Sequence, residues 1–436
     1  MRNLTLFLLS LISISCKQES LTKFDSFVKR TDSLLTIKEK KEDFMGSLYI
    51  NSNNKIYEKS IGFEDVDLNK KINSDTKYNI GSISKTYTAV LIMKAIEEKK
   101  LQLNGTIQQY FPVLKNAEKI TIKHLLQHRS GVHNFTRDEV FWKTRTQNIS
   151  SEKILSRINK YNNDFEPGSK TEYSNSNYFL LSMILERVYE TSYEDLLQHK
   201  ICSPLNLKNT YAERNTNKYC HSYTYKDKWI KFNPTSLSIG TGSGSIISTI
   251  KETNYFLESL LKGKVVTKNS LNEMKTIKNQ YGLGLIEYTI NNRKGYGHRG
   301  HIDEFRSTAI YFPNENLSFT MISNGSKEDM NILYQKIFKL YFNDTTIKVD
   351  SEKIKHFVGT YKSTKNETDP TVFINENNSL VLVIKNEFKE PLIYKGNNQF
   401  IFEQLYAENI KFTFTDNGQE LLFEQGTFQG EYVKDE

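Results

Sequence analysis

Gly81-Ser82-Ile83-Ser84-Lys85 opens a stretch whose apolar residues recur with helical spacing. Residues three apart share one face of a helix, so the Lys85 amine can reach the Ser82 hydroxyl. A serine at a helix start also has a backbone N–H without an intrahelical partner, and the positive end of the helix dipole favours an oxyanion there. A serine hydroxyl becomes a nucleophile when a neighbouring base, such as a desolvated neutral lysine, takes its proton. The stretch therefore predicts a reactive serine; the simpler alternative is that Ser82 only caps the helix.

A second polar group stands at Tyr173-Ser174-Asn175, just before a stretch with helical spacing that starts near Asn177. A tyrosine with a lowered pKa can take up or relay protons, and an asparagine amide can orient both Lys85 and a substrate. A helix cap explains the same tripeptide equally well. The group therefore indicates a site only together with other elements.

The third element is the sequence GHRGH at residues 297–301, which lies between two strand-like runs. A glycine in such a strand often marks a close approach of the backbone to a ligand, so we expect Gly300 to let a substrate lie against the strand edge. The backbone N–H of His301 can then supply a second oxyanion donor, beside the N–H of Ser82.

In this order, the three elements resemble the signature of the serine β-lactamase and penicillin-binding-protein superfamily, in which serine and lysine form an S-x-x-K motif. The chain is similar to the branch that holds class C β-lactamases, D-Ala-D-Ala carboxypeptidases and esterases, where H-x-G often replaces K-T-G. The flanking segments agree: TIKHLLQHRSG at residues 121–131 resembles the family's TIRHLLTHTSG, and PLNL at 204–207 resembles PLGM. The resemblance runs from about residue 40 to about residue 340.

The resemblance implies a role for each residue of the three elements. Ser82 would be the acylated nucleophile, and Lys85 its base or proton relay. Tyr173 would be the partner base for acylation or deacylation, so which of the two is the base is left open. The predicted substrate contacts are Asn175 (to the substrate amide), His298, Gly300 and the His301 N–H.

Two departures from the family pattern affect the expected substrate. Arg299 stands where this branch usually has Gly, Thr or Ser, and it either crowds the strand edge or binds a substrate carboxylate bidentately. In HIDEFR at residues 301–306, the glycine that the family has before Phe305 is missing. Both changes argue against antibiotic hydrolysis more than against acyl transfer itself.

The hydrophobic patterns and the resemblance together predict an α+β, β-lactamase/transpeptidase-like domain over residues 31–342. It would have a mainly antiparallel sheet flanked by helices, plus a helical subdomain, with Ser82 between the two. Alternation over 44–61 predicts a hairpin, and 105–215 is rich in helical patterns. Beyond a linker at 343–346, short alternating runs separated by Asn and Gly turns predict a small antiparallel β module over 353–436. It resembles barrel-like appendages of some relatives.

The first residues have the character of a targeting segment. Arg2 precedes an apolar run that is too short to span a membrane, so we predict a signal peptide over residues 1–15 and a tether over 16–30. Cys16 follows a small residue, as in the lipobox of bacterial lipoproteins, where the cysteine carries lipid. We therefore expect an exported protein, anchored by lipid to a bacterial membrane and facing the periplasm or the exterior. Ordinary secretion is the alternative.

Other features exclude several classes of function. The net charge of +8 comes from interleaved Lys and Glu, so we expect no nucleic-acid partner. His124 and His128 lack the acidic residue of a zinc motif, and the Gly-rich run 240–244 lacks the third glycine of a dinucleotide loop. We predict neither metal nor cofactor. Cys202 and Cys220 either pair or stay as buried thiols; the oligomeric state is left open.

We therefore predict a serine hydrolase that transfers an acyl group to water through an acyl-enzyme on Ser82. Its substrates would be D-amino-acid peptides, β-lactams or small esters and amides, which leaves D,D-carboxypeptidase, D-aminopeptidase and esterase types open. The alternative is a catalytically silent binding protein of the cell envelope with the same fold. The joint presence of Ser82, Lys85, Tyr173 and Asn175 favours the enzyme.

Overall fold

The computed structural model describes residues 23–435, apart from 213–217, 291, 343–348, 366–369, 377, 385–387 and 403–408. The predicted signal peptide, Cys16, the first part of the tether and the linker at 343–346 lie outside the described residues, so they stay predictions. No helix in the described part of the chain is long and apolar enough to cross a membrane.

The larger part of the chain, up to Phe342, combines helices with a central sheet. Its helices are α1 (Lys23–Lys40), α2 (Ser84–Glu97), α3 (Ile122–Leu126), α4 (Glu139–Thr144), α5 (Ser151–Ile158), α6 (Asn175–Tyr189), α7 (Tyr193–Leu197), α8 (Ile250–Leu261), α9 (Lys268–Met274) and α10 (Met330–Phe342). Its strands are β1 (Phe44–Ser52), β2 (Lys55–Ile61), β3 (Phe63–Asp65), β4 (Lys70–Lys71), β5 (Lys77–Asn79), β6 (Tyr223–Lys226), β7 (Lys228–Lys231), β8 (Ile247–Thr249), β9 (Ile286–Ile290), β10 (Arg293–Ile302), β11 (Phe305–Phe312) and β12 (Leu317–Ser326).

The central sheet is antiparallel, with the strand order β2-β1-β12-β11-β10-β9. The predicted hairpin is confirmed: β1 and β2 are joined at Asn53 and Asn54, whose φ angles of 50° and 67° suit the tight turn that a right-twisted hairpin needs. Strand β9 pairs with β10 as far as Gly297, and the following residues of β10, up to Ile302, pair with β11 on one side. This last part of β10 contains Gly300, where the sequence predicts that a substrate lies against the strand edge.

Helix α2 lies at the centre of the larger hydrophobic core. Its apolar side chains are buried all round, as expected for a helix enclosed between the sheet and the helical subdomain. Helix α6 packs beside it. The predicted α+β architecture with a helical subdomain is confirmed, and residues 81–85, just before and at the start of α2, lie where the two parts meet.

The other face of the sheet is covered by α1 and α10. Helix α1 starts at Lys23, inside the segment that we assigned to a tether, and its Phe27 is fully buried. The Phe27 ring lies 6.1 Å from that of Tyr57 and 5.1 Å from that of Tyr341, edge-on to both. This corrects the boundary at residue 31: the chain packs on the sheet from Lys23 onward, because Phe27 and Leu35 share one helix face.

The C-terminal module has its own core. Its elements are α11 (Ser351–Phe357), β13 (Gly359–Ser363), β14 (Thr371–Glu376), β15 (Ser379–Ile384), β16 (Phe388–Pro391), β17 (Ile393–Gly396), β18 (Gln399–Phe402), β19 (Ile410–Phe414), β20 (Glu420–Gln425) and β21 (Phe428–Lys434). Strands β16 and β17 form the two ends of its antiparallel sheet, yet one residue separates them in sequence. The sheet must therefore curl back on itself, which confirms a barrel-like module.

Candidate active site

Ser82 lies in a turn that connects β5 to α2. Residues Gly81–Ile83 form a 3-10 turn, and the α-helix itself begins two residues after the serine. Gly81 has a left-handed φ of 53° and donates its N–H to Asn79 Oδ1 at 2.9 Å. A Cβ at Gly81 would lie 2.9 Å from the His301 nitrogen, so both the conformation and the space require glycine. The turn presents the half-buried Ser82 to a cleft.

Lys85 is fully buried and is bonded to three oxygen atoms. Its Nζ lies 3.0 Å from Ser82 Oγ, 2.8 Å from Asn175 Oδ1 and 2.7 Å from the Ser243 carbonyl oxygen. Burial disfavours the charged form and holds the pKa of Lys85 well below its usual value. The helical spacing thus predicted the Ser82–Lys85 contact correctly.

The partners of Lys85 determine where its lone pair points when the amine is neutral. Asn175 Oδ1 and the Ser243 carbonyl only accept hydrogen bonds, so they take the two hydrogens of a neutral amine. The third direction, toward Ser82 Oγ, is then left for the lone pair. In this state the amine is aimed to accept the hydroxyl proton of Ser82.

Tyr173 donates its hydroxyl hydrogen to Ser82 Oγ at 2.8 Å. Burial raises the pKa of Tyr173, although the hydrogen bond to Ser82 and the positive charge of Arg299 act in the other direction. Its ring is covered by His128, at a centroid distance of 4.4 Å, and by Tyr281, at 6.0 Å. The lowered pKa that we expected for Tyr173 is therefore wrong, because burial of the ring against its neighbours disfavours the phenolate even though Tyr173 borders the cleft.

Asn175 begins helix α6 and uses both ends of its side-chain amide within the protein. Its Oδ1 accepts from Lys85, and its Nδ2 donates to Thr136 Oγ1 at 2.9 Å. We expected this side chain to contact the substrate amide. It does border the cleft, but its strongest contacts orient the lysine amine.

The edge of β10 packs directly on the serine turn. A Cβ at Gly300 would lie 2.2 Å from the Ile80 carbonyl oxygen and 2.3 Å from Ser307 Oγ. The missing side chain at Gly300 therefore makes room for the protein's own backbone, while Gly300 itself borders the cleft in front of Ser82. The same packing brings the His301 nitrogen against Gly81, next to Ser82, as an oxyanion site requires.

His298 and Arg299 differ in environment. Burial, together with the positive charge of Lys85, lowers the pKa of His298 to about 3, so its ring is neutral. Its Nδ1 lies 2.6 Å from the Arg299 carbonyl oxygen, which only accepts, so Nδ1 carries the hydrogen. Arg299 is exposed, and its side chain borders the same cleft as Ser82 and Tyr173.

The cleft in front of Ser82 has a volume of about 1220 Å³. Tyr173, Asn175 and the predicted residues of β10 line it beside the serine, whereas Lys85 lies beneath. Trp142, whose side chain is exposed, stands at its rim. Since pockets for single small ligands usually measure about 300–1,000 Å³, this cleft has room for a substrate larger than one amino acid derivative.

Several site residues were not predicted from the sequence. The Gly-rich run 240–244 lies beside the site, and the bond from Lys85 to the Ser243 carbonyl was not foreseen. Asn134 and Thr136 hold Asn175 and were missed entirely. A backbone carbonyl gives no signal in a sequence. Asn134 and Thr136 stand just after the family-like segment 121–131. The position of that segment is the only sequence signal that could have drawn attention to them.

His124 and His128 take part in structural hydrogen bonds. His124 completes a capping box with Thr121 at the start of α3, and His128 Nδ1 accepts from the N–H of Ser174. Among the described residues, no group of three or more His, Cys, Asp or Glu side chains is placed to hold a metal ion. Cys202 and Cys220 are both buried as free thiols, so they do not form a disulfide with each other.

A comparison with protein families decides the family of the chain. The model of the family described as Beta-lactamase matches residues 45–341, which is more than half of the chain. The chain belongs to this family. The matched range contains all of the predicted catalytic and substrate-contact residues and stops before the C-terminal module.

Known relatives cover much of the same range. Protein flp of Staphylococcus aureus is 27% identical over 303 residues, which are 65% of this chain and 60% of that protein. The chain thus spans less than two thirds of the length of that relative. The teichoic acid D-alanine hydrolase of Staphylococcus aureus is 26% identical over 317 residues, covering 72% of this chain and 71% of the hydrolase.

Solved structures share the fold. The D-amino acid amidase of Ochrobactrum anthropi aligns with a TM-score of 0.65 at 20% identity, covering 74% of this chain and 99% of the amidase. At this level of identity, the alignment shows a common fold. It confirms the β-lactamase/transpeptidase-like architecture that the motifs predicted.

Proposed function

We propose that the chain is a serine hydrolase that removes D-amino-acyl groups, such as D-alanyl, from esters or amides by way of an acyl-enzyme on Ser82. The observation that carries the proposal is the position of Ser82 Oγ, 3.0 Å from a buried amine and 2.8 Å from a tyrosine hydroxyl. This is the arrangement that activates a hydroxyl nucleophile and then returns its proton.

Lys85 is the base in the proposed acylation step. Burial lowers the pKa of Lys85 and raises the pKa of Tyr173, so the amine gives up its proton more readily than usual and the phenol less readily. Because Tyr173 donates to Ser82 Oγ, the hydrogen of Ser82 itself points toward the lone pair of Lys85. We therefore propose Lys85, rather than Tyr173, as the base.

The proposed reaction proceeds in two halves. Ser82 Oγ attacks the acyl carbon while Lys85 takes its proton. The resulting oxyanion accepts hydrogen bonds from the backbone N–H groups of Ser82 and His301. The C–O or C–N bond to the leaving group then breaks, and the leaving atom receives the proton from Lys85. Water attacks the acyl-enzyme next, with Lys85 taking its proton and returning it to Ser82 as the D-amino acid departs.

The choice of D-amino-acyl substrates is supported by the relatives. One of them is a teichoic acid D-alanine hydrolase, and a protein of the same fold is a D-amino acid amidase. The size of the cleft suits an acyl group carried on a larger molecule. Arg299, exposed beside Ser82, suits an anionic group close to the scissile bond.

The proposal is tested by comparing enantiomers. We expect hydrolysis of D-alanine methyl ester and D-alanine p-nitroanilide at least about tenfold faster than of the L-forms, because one pocket contact distinguishes ligands by 1–3 kcal/mol. Ser82→Ala should slow hydrolysis at least about a thousandfold. Ser33→Ala, on the exposed side of α1, is the matched control. Equal rates for the wild type and Ser82→Ala, or no turnover of any D-substrate, would favour the silent binding protein.

A further inference from the structure

The amide of Asn134 is oriented by two backbone donors. Asn134 precedes the 3-10 turn Phe135–Arg137, and its Oδ1 accepts from the N–H of Thr136 at 3.4 Å and from the N–H of Asn175 at 3.1 Å. A backbone N–H can only donate, so the oxygen of this side chain must face both of them. The orientation of Asn134 is thereby fixed by main-chain geometry.

The hydroxyl of Thr136 links the side chain of Asn134 to that of Asn175. Thr136 Oγ1 lies 3.0 Å from Asn134 Oδ1, which can only accept, so the hydroxyl hydrogen is committed there. The lone pairs of Thr136 Oγ1 are then left for Asn175 Nδ2, at 2.9 Å. With its nitrogen held in this way, Asn175 must present its oxygen to Lys85, at 2.8 Å.

Reversing the Asn175 amide would disturb the amine of Lys85. The amide nitrogen would then face Lys85, and one hydrogen of the neutral amine would lose its acceptor. The lone pair would turn from Ser82 toward the new donor. A carbonyl oxygen that stabilises the ammonium form would also be replaced by an N–H₂ group that destabilises it.

We propose that Asn134 and Thr136 are positioning residues that hold the Asn175 amide oxygen toward Lys85 and so aim the amine at Ser82. Neither side chain bonds directly to the Ser82 hydroxyl or the lysine amine; both act through Asn175. The inference rests on the proposed role of Lys85 as the base. It adds that a series of directed hydrogen bonds, from the backbone through Asn134, Thr136 and Asn175, sets the orientation of the Lys85 amine.

The loop that bears Asn134 and Thr136 is held in place by the contacts of the preceding residue, His133. The His133 ring lies between two carboxylates, 2.9 Å from Asp164 and 2.9 Å from Asp138, and stacks on Tyr161 at 4.2 Å. Burial would lower the pKa of His133, but the two carboxylates raise it. The His133 carbonyl also accepts from Ser176 Oγ at 2.5 Å, which ties the loop to the first turn of α6.

The test follows the protonation of Lys85 directly. In protein labelled with ¹³C at the lysine ε carbon, the Lys85 signal is assigned by its absence in Lys85→Met, and its titration is followed by NMR. Thr136→Val should move this titration to lower pH and slow acylation of Ser82 about tenfold, the effect of one lost hydrogen bond. Thr136→Ser, which keeps the hydroxyl, should titrate and react as the wild type does.

The controls separate a positioning role from a loss of structure. Thr276→Val removes an exposed hydroxyl, just after α9, that donates to the Asn272 carbonyl, and it should change neither readout. Thr136→Ala, measured at the same temperature below its melting point, replaces Thr136→Val if the latter does not fold. Identical Lys85 titrations in the wild type, Thr136→Val and Thr136→Ser would overturn the inference. A wild type without acylation would refute the proposed function instead, and the titration would still decide the positioning role.

Discussion

Lys85→Met is expected to slow acylation of Ser82 by at least about a hundredfold, the usual contribution of a general base, while the protein stays folded. Methionine has a similar length, fills the buried position and lacks a basic atom. In the wild type, acylation should fall as the pH falls through the lowered pKa of Lys85, because protonation removes the lone pair that accepts the Ser82 hydrogen. Stopped-flow measurement of acyl-enzyme formation against pH gives both results.

The same substitution bears on stability. At neutral pH an unfolded chain binds a proton at Lys85 that the folded chain binds less well, so the wild type gains stability as the pH rises toward the ordinary lysine pKa. Lys85→Met should lose this part of the pH dependence and should melt at the same or a higher temperature. Lys94→Met, on the same helix and only partly buried, is the matched control and should react as the wild type does. Unchanged acylation in Lys85→Met would contradict Lys85 as the base.

Gly300→Ala is expected to have the second large effect. The added methyl group would lie 2.2 Å from the Ile80 carbonyl oxygen, which belongs to the turn that carries Ser82 and cannot rotate away. Strand β10 must then move off this turn, at a cost of about 1–3 kcal/mol in the free energy of unfolding. The His301 N–H would move with the strand, so acylation should slow as well. Denaturant unfolding and acylation rates measure the two effects.

Gly244→Ala is the control for Gly300→Ala. It lies beside the same cleft, but a Cβ there would be 3.9 Å from its nearest neighbour, so Gly244→Ala should keep the stability of the wild type. If Gly300→Ala were as stable and as reactive as the wild type, the close packing of β10 on the serine turn would not be what forms the oxyanion site.

Short-range spacing was enough to predict the contact between Ser82 and Lys85 and the hairpin of β1 and β2. Ser82 and Lys85 stand three residues apart at a helix start, and such residues meet whatever surrounds the helix. Asn53 and Asn54 tolerate left-handed backbone angles, which fixes the turn between β1 and β2. In both cases the decisive geometry is local, so the sequence alone reveals it.

The features that were missed or mistaken depend on contacts between distant segments. Asn134 meets Asn175 across some forty residues of chain, and no periodicity marks such a pair. The pKa of Tyr173 is raised because His128 and Tyr281 enclose its ring, which the tripeptide itself does not indicate. Phe27 was read as part of a tether because only the folded sheet supplies the surface that buries it.

The central claim is that Ser82 forms the acyl-enzyme, and mass spectrometry of the trapped intermediate tests it most directly. The protein is mixed with a D-alanine ester or a fluorophosphonate, quenched in acid, digested and fragmented. We predict one adduct, on Ser82 and not on the neighbouring Ser84, whose hydroxyl accepts from the N–H of Ile246 and faces the interior. An adduct on another residue, or none on Ser82 from either reagent, would contradict the account.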